Sequence, residues 1–178
     1  NEGRRQIMSM AVQTSYGFSF PKGVAGGLYD LSAHEAATRQ AEGAGVAFGV
    51  GVVIGTNKGV DVKIPVSTAT SDAFEGVVVH NSVMVEMDME NKVAIGDKST
   101  VGCLQYGRIW IKTASKANPA YKEKVYMITD GDEAGLFTTS DDESTKVEVN
   151  AIFLGETDTG IANAEFRPGA VIKAAATK

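Results

Sequence analysis

From Gly45 onward the chain is built of short runs of valine, isoleucine, phenylalanine and tyrosine, each cut by glycine, asparagine or aspartate. A two-residue period puts successive side chains on opposite faces of a strand. The pattern predicts strands near Ala47 to Ile54, Val60 to Pro65, Phe74 to His80, Val83 to Met89, Val101 to Gln105, Gly107 to Thr113, Lys124 to Thr129, Gly135 to Thr138, Lys146 to Leu154 and Ala170 to Lys173. The breaks "TNKG" (Thr56 to Gly59), "VHNS" (Val79 to Ser82) and "TDGDEAG" (Thr129 to Gly135) have the composition of hairpin turns. Many short strands with no long helical period predict an all-β domain over residues 46–178, a small antiparallel barrel or sandwich.

Residues 1–45 read differently. They are rich in glycine and alanine and poor in β-branched runs, which predicts an extended N-terminal arm. Within it "SAHE" has the form of a capping box, Ser32 as N-cap and Glu35 three residues on, and predicts a short helix through about Gln40.

The stretch "YGRIWIK", Tyr106 to Lys112, holds the single tryptophan of the chain. Alternation puts Gly107, Ile109 and Ile111 on one face and Tyr106, Arg108, Trp110 and Lys112 on the other. The isoleucines make the better core, so the tryptophan lies between two cations on the face expected to meet water. Aromatics and arginine are enriched where proteins meet proteins. Tyr106, Arg108 and Trp110, with the arm aromatics Phe18, Phe20 and Tyr29, are therefore the candidate protein-interface residues. Two other readings stand beside this one: a closed two-layer fold with Trp110 in its core, and a sugar platform with Trp110 as stacking surface.

Composition narrows the function. A chain of 178 residues fits one domain with or without an arm, and buries roughly 70% of the surface its unfolded form exposes. The lone cysteine, Cys103, lies between Val101 and Leu104 and is expected as a buried thiol, not a nucleophile. The formal net charge of −5 and a pI near 5.1 argue against a nucleic-acid partner, which would favour a basic stripe. No apolar run approaches the roughly 20 residues that cross a bilayer, and the first residues lack a signal-peptide core, so neither a membrane partner nor an export signal is expected.

Candidate chemistry is thin. His34 and His80 stand apart in no metal-ligand spacing, and His80 ends a strand. No GxSxG occurs. The acidic groups Asp130, Asp132, Glu133 and Asp141, Asp142, Glu143 lack the spacing of a calcium loop and read as turns. "FGVGVVIGTNKG" lacks the GK[ST] ending of a phosphate loop and a following helix, so Gly49, Gly51 and Gly55 are expected to serve close strand packing or bulges. No catalytic residue, metal site or cofactor is expected.

The order of segments resembles the structural cement proteins of tailed bacteriophages. The matching stretches are "FGVGVVIGT" (Phe48 to Thr56), "FEGVVVH" (Phe74 to His80), "GRIWIK" (Gly107 to Lys112), "NPAYKEKVYMITDGDEAGLFTT" (Asn118 to Thr139) and "EVNAIFLGETDTG" followed by "AEFRPG" (Glu165 to Gly169). The likeness spans about Phe48 to Lys173, with Tyr16 to Gly45 as a family-like arm. It implies a binding function: decoration of the outer surface of the expanded head, assembly in the host cytoplasm, the major capsid protein of the same phage as partner, and self-association as dimer or trimer. Another virion component, of tail or baseplate, and a carbohydrate- or receptor-binding β module are the alternatives.

Overall fold

The computed structural model describes residues 23–81, 86–87, 93–139, 145–158 and 160–168. Among the described residues eleven strands follow one another: β1 (Glu35–Ala41), β2 (Gly51–Ile54), β3 (Asp61–Lys63), β4 (Phe74–Val78), β5 (Glu86–Met87), β6 (Val93–Ala94), β7 (Thr100–Lys112), β8 (Lys124–Ile128), β9 (Phe137–Thr138), β10 (Lys146–Asp158) and β11 (Ile161–Phe166). The order β1-β3-β2-β4-β7, closed by pairing of β1 with β7, makes a five-stranded barrel, and the same β7 continues into β11, β10, β8 and β9. The all-β expectation holds in its barrel form.

Two apolar cores result. Val46, Phe48, Val52, Val62, Val78, Val101 and Cys103 belong to one cluster, supplied by the barrel strands and by the connection between β1 and β2. Val53, Val77 and Leu104 leave those strands on the other face and join Ile109, Ile111, Val125, Met127, Phe137, Phe153 and Phe166 of the second half-sheet. Neighbouring residues such as Val52 and Val53, or Val77 and Val78, divide between the two cores as a two-residue period requires.

Strand β7 faces both cores and breaks its alternation once along its length. Glu35 of β1 pairs with Tyr106 but Ala36 pairs with Leu104, so Gln105 is an extra residue in the ladder. Such a bulge reverses which face the following residues occupy. Before it, odd positions (Val101, Cys103) enter the barrel core; after it, odd positions (Ile109, Ile111) enter the other. Gly107 follows the bulge at φ 126, and a Cβ there would come within 2.6 Å of His34 Cβ. The two strands predicted at Val101–Gln105 and Gly107–Thr113 are thus one strand with a bulge between them.

Two further expectations are corrected. The helix predicted from Ser32 to Gln40 is strand β1, antiparallel to β7 from Glu35 to Gln40 and parallel to β3 at Gln40 and Ala41. Ser32 caps no helix; its backbone N–H donates to Asp30 Oδ1 at 3.0 Å and its hydroxyl donates to the same oxygen. The cause is tertiary: Ala41 enters the barrel core and the residues before it pair with β7, which overrides an alanine-rich local preference. Strand β11, "IANAEF", falls outside the predicted strand spans yet lies between β7 and β10. The predicted strand Ala170 to Lys173, the arm residues up to 22, Phe18 and Phe20 among them, and the cluster at 141–143 lie outside the described residues.

Candidate docking surface

The face of Trp110 is occupied by the chain itself. Residues 23–31 run as a strap along β7 on the edge that β11 leaves free. Gly26 N–H donates to the Trp110 carbonyl at 2.7 Å, Trp110 N–H donates to the Gly27 carbonyl at 2.9 Å, and Tyr29 N–H donates to the Arg108 carbonyl at 3.0 Å. Gly23 lies directly against the indole, where a Cβ would collide with the ring. The Tyr29 ring covers it from 5.9 Å away. Trp110 is consequently 6% exposed. The expectation that this tryptophan face meets water directly is corrected: the covering segment, some 85 positions upstream, is one that alternation within β7 could not reveal.

Arg108 remains at the surface and fastens the strap. Its Nη1 donates to Asp30 Oδ2 at 2.9 Å and its Nε to Glu165 Oε2 at 3.0 Å. The Ser32 hydroxyl and N–H, followed by Arg108, hold the Asp30 carboxyl below its ordinary 3.8. Asp30 and Glu165 in turn raise the Arg108 guanidinium. These groups are exposed enough that salt screens them, so they fix position more than they add stability.

What the strap shows outward is apolar. Leu31 is 96% exposed, and Val24, Leu28 and Tyr29 on the same short segment are exposed as well. Single exposed apolar residues are ordinary, whereas four of them within eight positions expose more apolar surface than scattered residues do. Of the candidate interface residues, then, Tyr29 stands on this ridge, Arg108 latches it and Trp110 underlies it. Val24, Leu28 and Leu31 are not among the residues the sequence singled out; their only signal is the apolar content of "VAGGLYDL" in a glycine-rich stretch.

Tyr106 sits elsewhere. It is half-buried on the wall of a groove of about 510 Å³ at the seam where β11 ends and β1 begins, beside Glu35, Asp72, Phe74 and Gln105. Phe74 stacks on Phe166 across the groove floor, with centroids 5.9 Å apart. Glu75 on the wall accepts hydrogen bonds from Arg39 Nε at 2.7 Å and Gln105 Nε2 at 3.1 Å.

The remaining candidates show little chemistry. Cys103 is fully buried, and burial, with a smaller effect from the Glu75 charge, pushes its thiol up to about 12. His80 packs its ring on Phe48 with centroids 4.9 Å apart, and its N–H donates to the Gly26 carbonyl. Glu133 accepts from the Ser115 N–H and hydroxyl at 3.0 and 2.8 Å. A Cβ on Gly51 would meet Met127 Sδ and the Phe137 ring at 2.7 Å, so that glycine serves packing as expected. Among the described residues no three metal-ligating side chains form a group.

Comparison with known proteins agrees with this architecture. A solved structure titled "The capsid of Myoviridae Phage XM1" superposes with a TM-score of 0.67 at 18% sequence identity, over 88% of this chain and 97% of that one, which establishes the shared fold. No curated protein matches the sequence. The family model described as structural cement protein (E217 gp24/Pam3 gp6) matches residues 12–173, nearly the whole chain. With that match and a capsid-chain fold, the chain belongs to the phage structural cement protein family and is a capsid cement component of the virion.

Proposed function

We propose that the protein attaches to the outer surface of the expanded head, bridges neighbouring subunits of the major capsid protein and stiffens the shell against the pressure of packed DNA. The observation that carries this reading is the apolar ridge of Val24, Leu28, Tyr29 and Leu31, mounted on a strap that β7 holds by backbone hydrogen bonds. Covering one such side chain is worth about 1.5–3 kcal/mol before association costs. A modest contact suffices, because many copies on one shell act together and stabilise it by mass action. Phe18 and Phe20 precede the strap by a few residues and extend the same contact in this reading. Copies associate with one another on the shell as dimers or trimers. The net charge of −5 favours a protein partner over nucleic acid, no membrane partner is invoked, and the buried, protonated Cys103 supports a binding role without catalysis.

Leu31→Asp tests the surface. Because Leu31 is almost fully exposed, the variant keeps its melting temperature, and we expect at least about tenfold more protein to be needed to saturate stripped heads, a loss of roughly 1.4 kcal/mol. Unchanged saturation by a normally folded variant would place the contact elsewhere.

A further inference from the structure

The seam groove and a projection beside the later part of β10 are complementary in chemistry. Half-buried Phe74 and Tyr106 give the groove ring surface, and Glu35 and Asp72 stand exposed on its rim with no ion-pair partner among the described residues. The matching occupant carries an aromatic ring with a cation beside it.

The turn before β8 presents that pair. Tyr121 is 66% exposed, and Lys122 Nζ lies 5.4 Å from the centre of its ring, so one projection offers both a ring face and a positive charge. Lys122 also has no ion-pair partner among the described residues. One exposed tyrosine is ordinary, but this one is mounted firmly. Lys122 N–H donates to the Phe153 carbonyl at 2.8 Å, Phe153 N–H donates to the Glu123 carbonyl at 2.8 Å, and Ala120 N–H donates to Glu123 Oε2 at 2.9 Å. Lys122 itself holds the left-handed backbone, φ 68, that residues with a Cβ seldom use. Gly155 of β10 lets the turn lie close, since a Cβ there would come within 3.1 Å of Tyr121 Cβ. A side chain set in place this way needs little further ordering on binding.

The chain cannot fill its own groove with this projection. The groove meets β10 at Val149 and Asn150, whereas Tyr121 lies against Gly155, roughly 16 Å from Asn150 along an extended strand. A second copy can.

We infer that Tyr121 of one copy enters the seam groove of another, its ring against Phe74 and Tyr106, with Lys122 facing Glu35 and Asp72. The inference rests on the reading that copies associate, and it names the two surfaces that meet. Projection and groove are different patches, so the contacts either reciprocate in a two-fold pair or close into a ring. The strap takes no part.

The test is sedimentation equilibrium of the full chain up to about 1 mM, where weak contacts are half formed. The wild type should self-associate reversibly, and less so in added salt. Tyr121→Ser, Asp72→Lys and Lys122→Glu, all changes at exposed positions, should each raise the dissociation constant about tenfold or more. An equimolar mixture of Asp72→Lys and Lys122→Glu should recover association, because each chain then meets the opposite charge on the other. Association that none of the variants changes overturns the inference and leaves the reading that copies associate; a wild type that stays monomeric overturns both. Single variants that weaken association without recovery in the mixture also overturn the inferred pairing. So does an Asp72→Lys chain that self-associates normally but binds stripped heads more weakly, because the groove then takes the capsid.

Discussion

Replacing Trp110 by alanine separates a covered tryptophan from a free anchor. The indole is 6% exposed and lies under Gly23 and Tyr29. Truncating a buried tryptophan costs about 3–5 kcal/mol, the lost transfer energy plus the cavity left behind. In a chain of 178 residues, each kcal/mol moves the melting temperature by about 2–4 °C, so a fall of roughly 6–20 °C is expected. The strap should loosen with it. Tyr29 loses its ring contact, and the amides of Gly26 and Tyr29, which donate to the Trp110 and Arg108 carbonyls, should exchange faster than those of the barrel. The assay is thermal unfolding alongside site-resolved hydrogen exchange, with head binding measured per folded molecule. A normal melting temperature and unchanged exchange, with binding alone lost, would refute the reasoning and make Trp110 a surface anchor.

Cys103 should resist iodoacetamide in the folded chain and react once urea unfolds it, because its thiol stays protonated to about pH 12 when buried but ionises near its ordinary 9.0 when free. The sign follows: its contribution is constant below pH 9 and falls as pH rises from 9 toward 12, so the urea midpoint of the wild type should drop more between pH 8 and 10.5 than that of Cys103→Ala. Asp30 works in the opposite sense, its folded carboxyl lying below 3.8. Its hold on the strap is complete above that pH and disappears as pH falls through the lower folded value. Tyr29 amide protection should therefore decline below about pH 3.8 relative to Asp30→Asn, and equal loss in both chains would show that this carboxylate is not the latch.

The parts of the fold governed by local alternation were legible in the sequence. In β2 and β8 each residue's face follows from its neighbours, and Gly51 could be assigned to packing because nothing after it completed a phosphate loop. Non-local pairing hid the rest. Residues 35–41 have helical composition, yet β7, 60 to 71 positions on from its partners, takes them as a strand. The extra residue at Gln105 leaves no mark in a pattern of apolar and polar letters, although Gly107 next to it does. "IANAEF" is sheet-forming because Ala162 and Ala164 fit a crowded face beside Ile109 and Ile111, a reason visible only once the neighbours are placed. The site divides along the same line. Tyr106, Arg108 and Trp110 stood out as a stripe, but their separate places, groove wall, latch and covered support, depend on a strap and a seam formed by distant segments.

The measurement closest to the central claim is co-sedimentation of the purified protein with expanded heads stripped of it, counting bound copies per major capsid subunit and then heating the decorated shells. Attachment as a cement predicts saturation at a fixed simple ratio and shells that withstand higher temperature than bare ones. A well-folded protein that leaves the heads undecorated, or that binds without any gain in heat resistance, would contradict it.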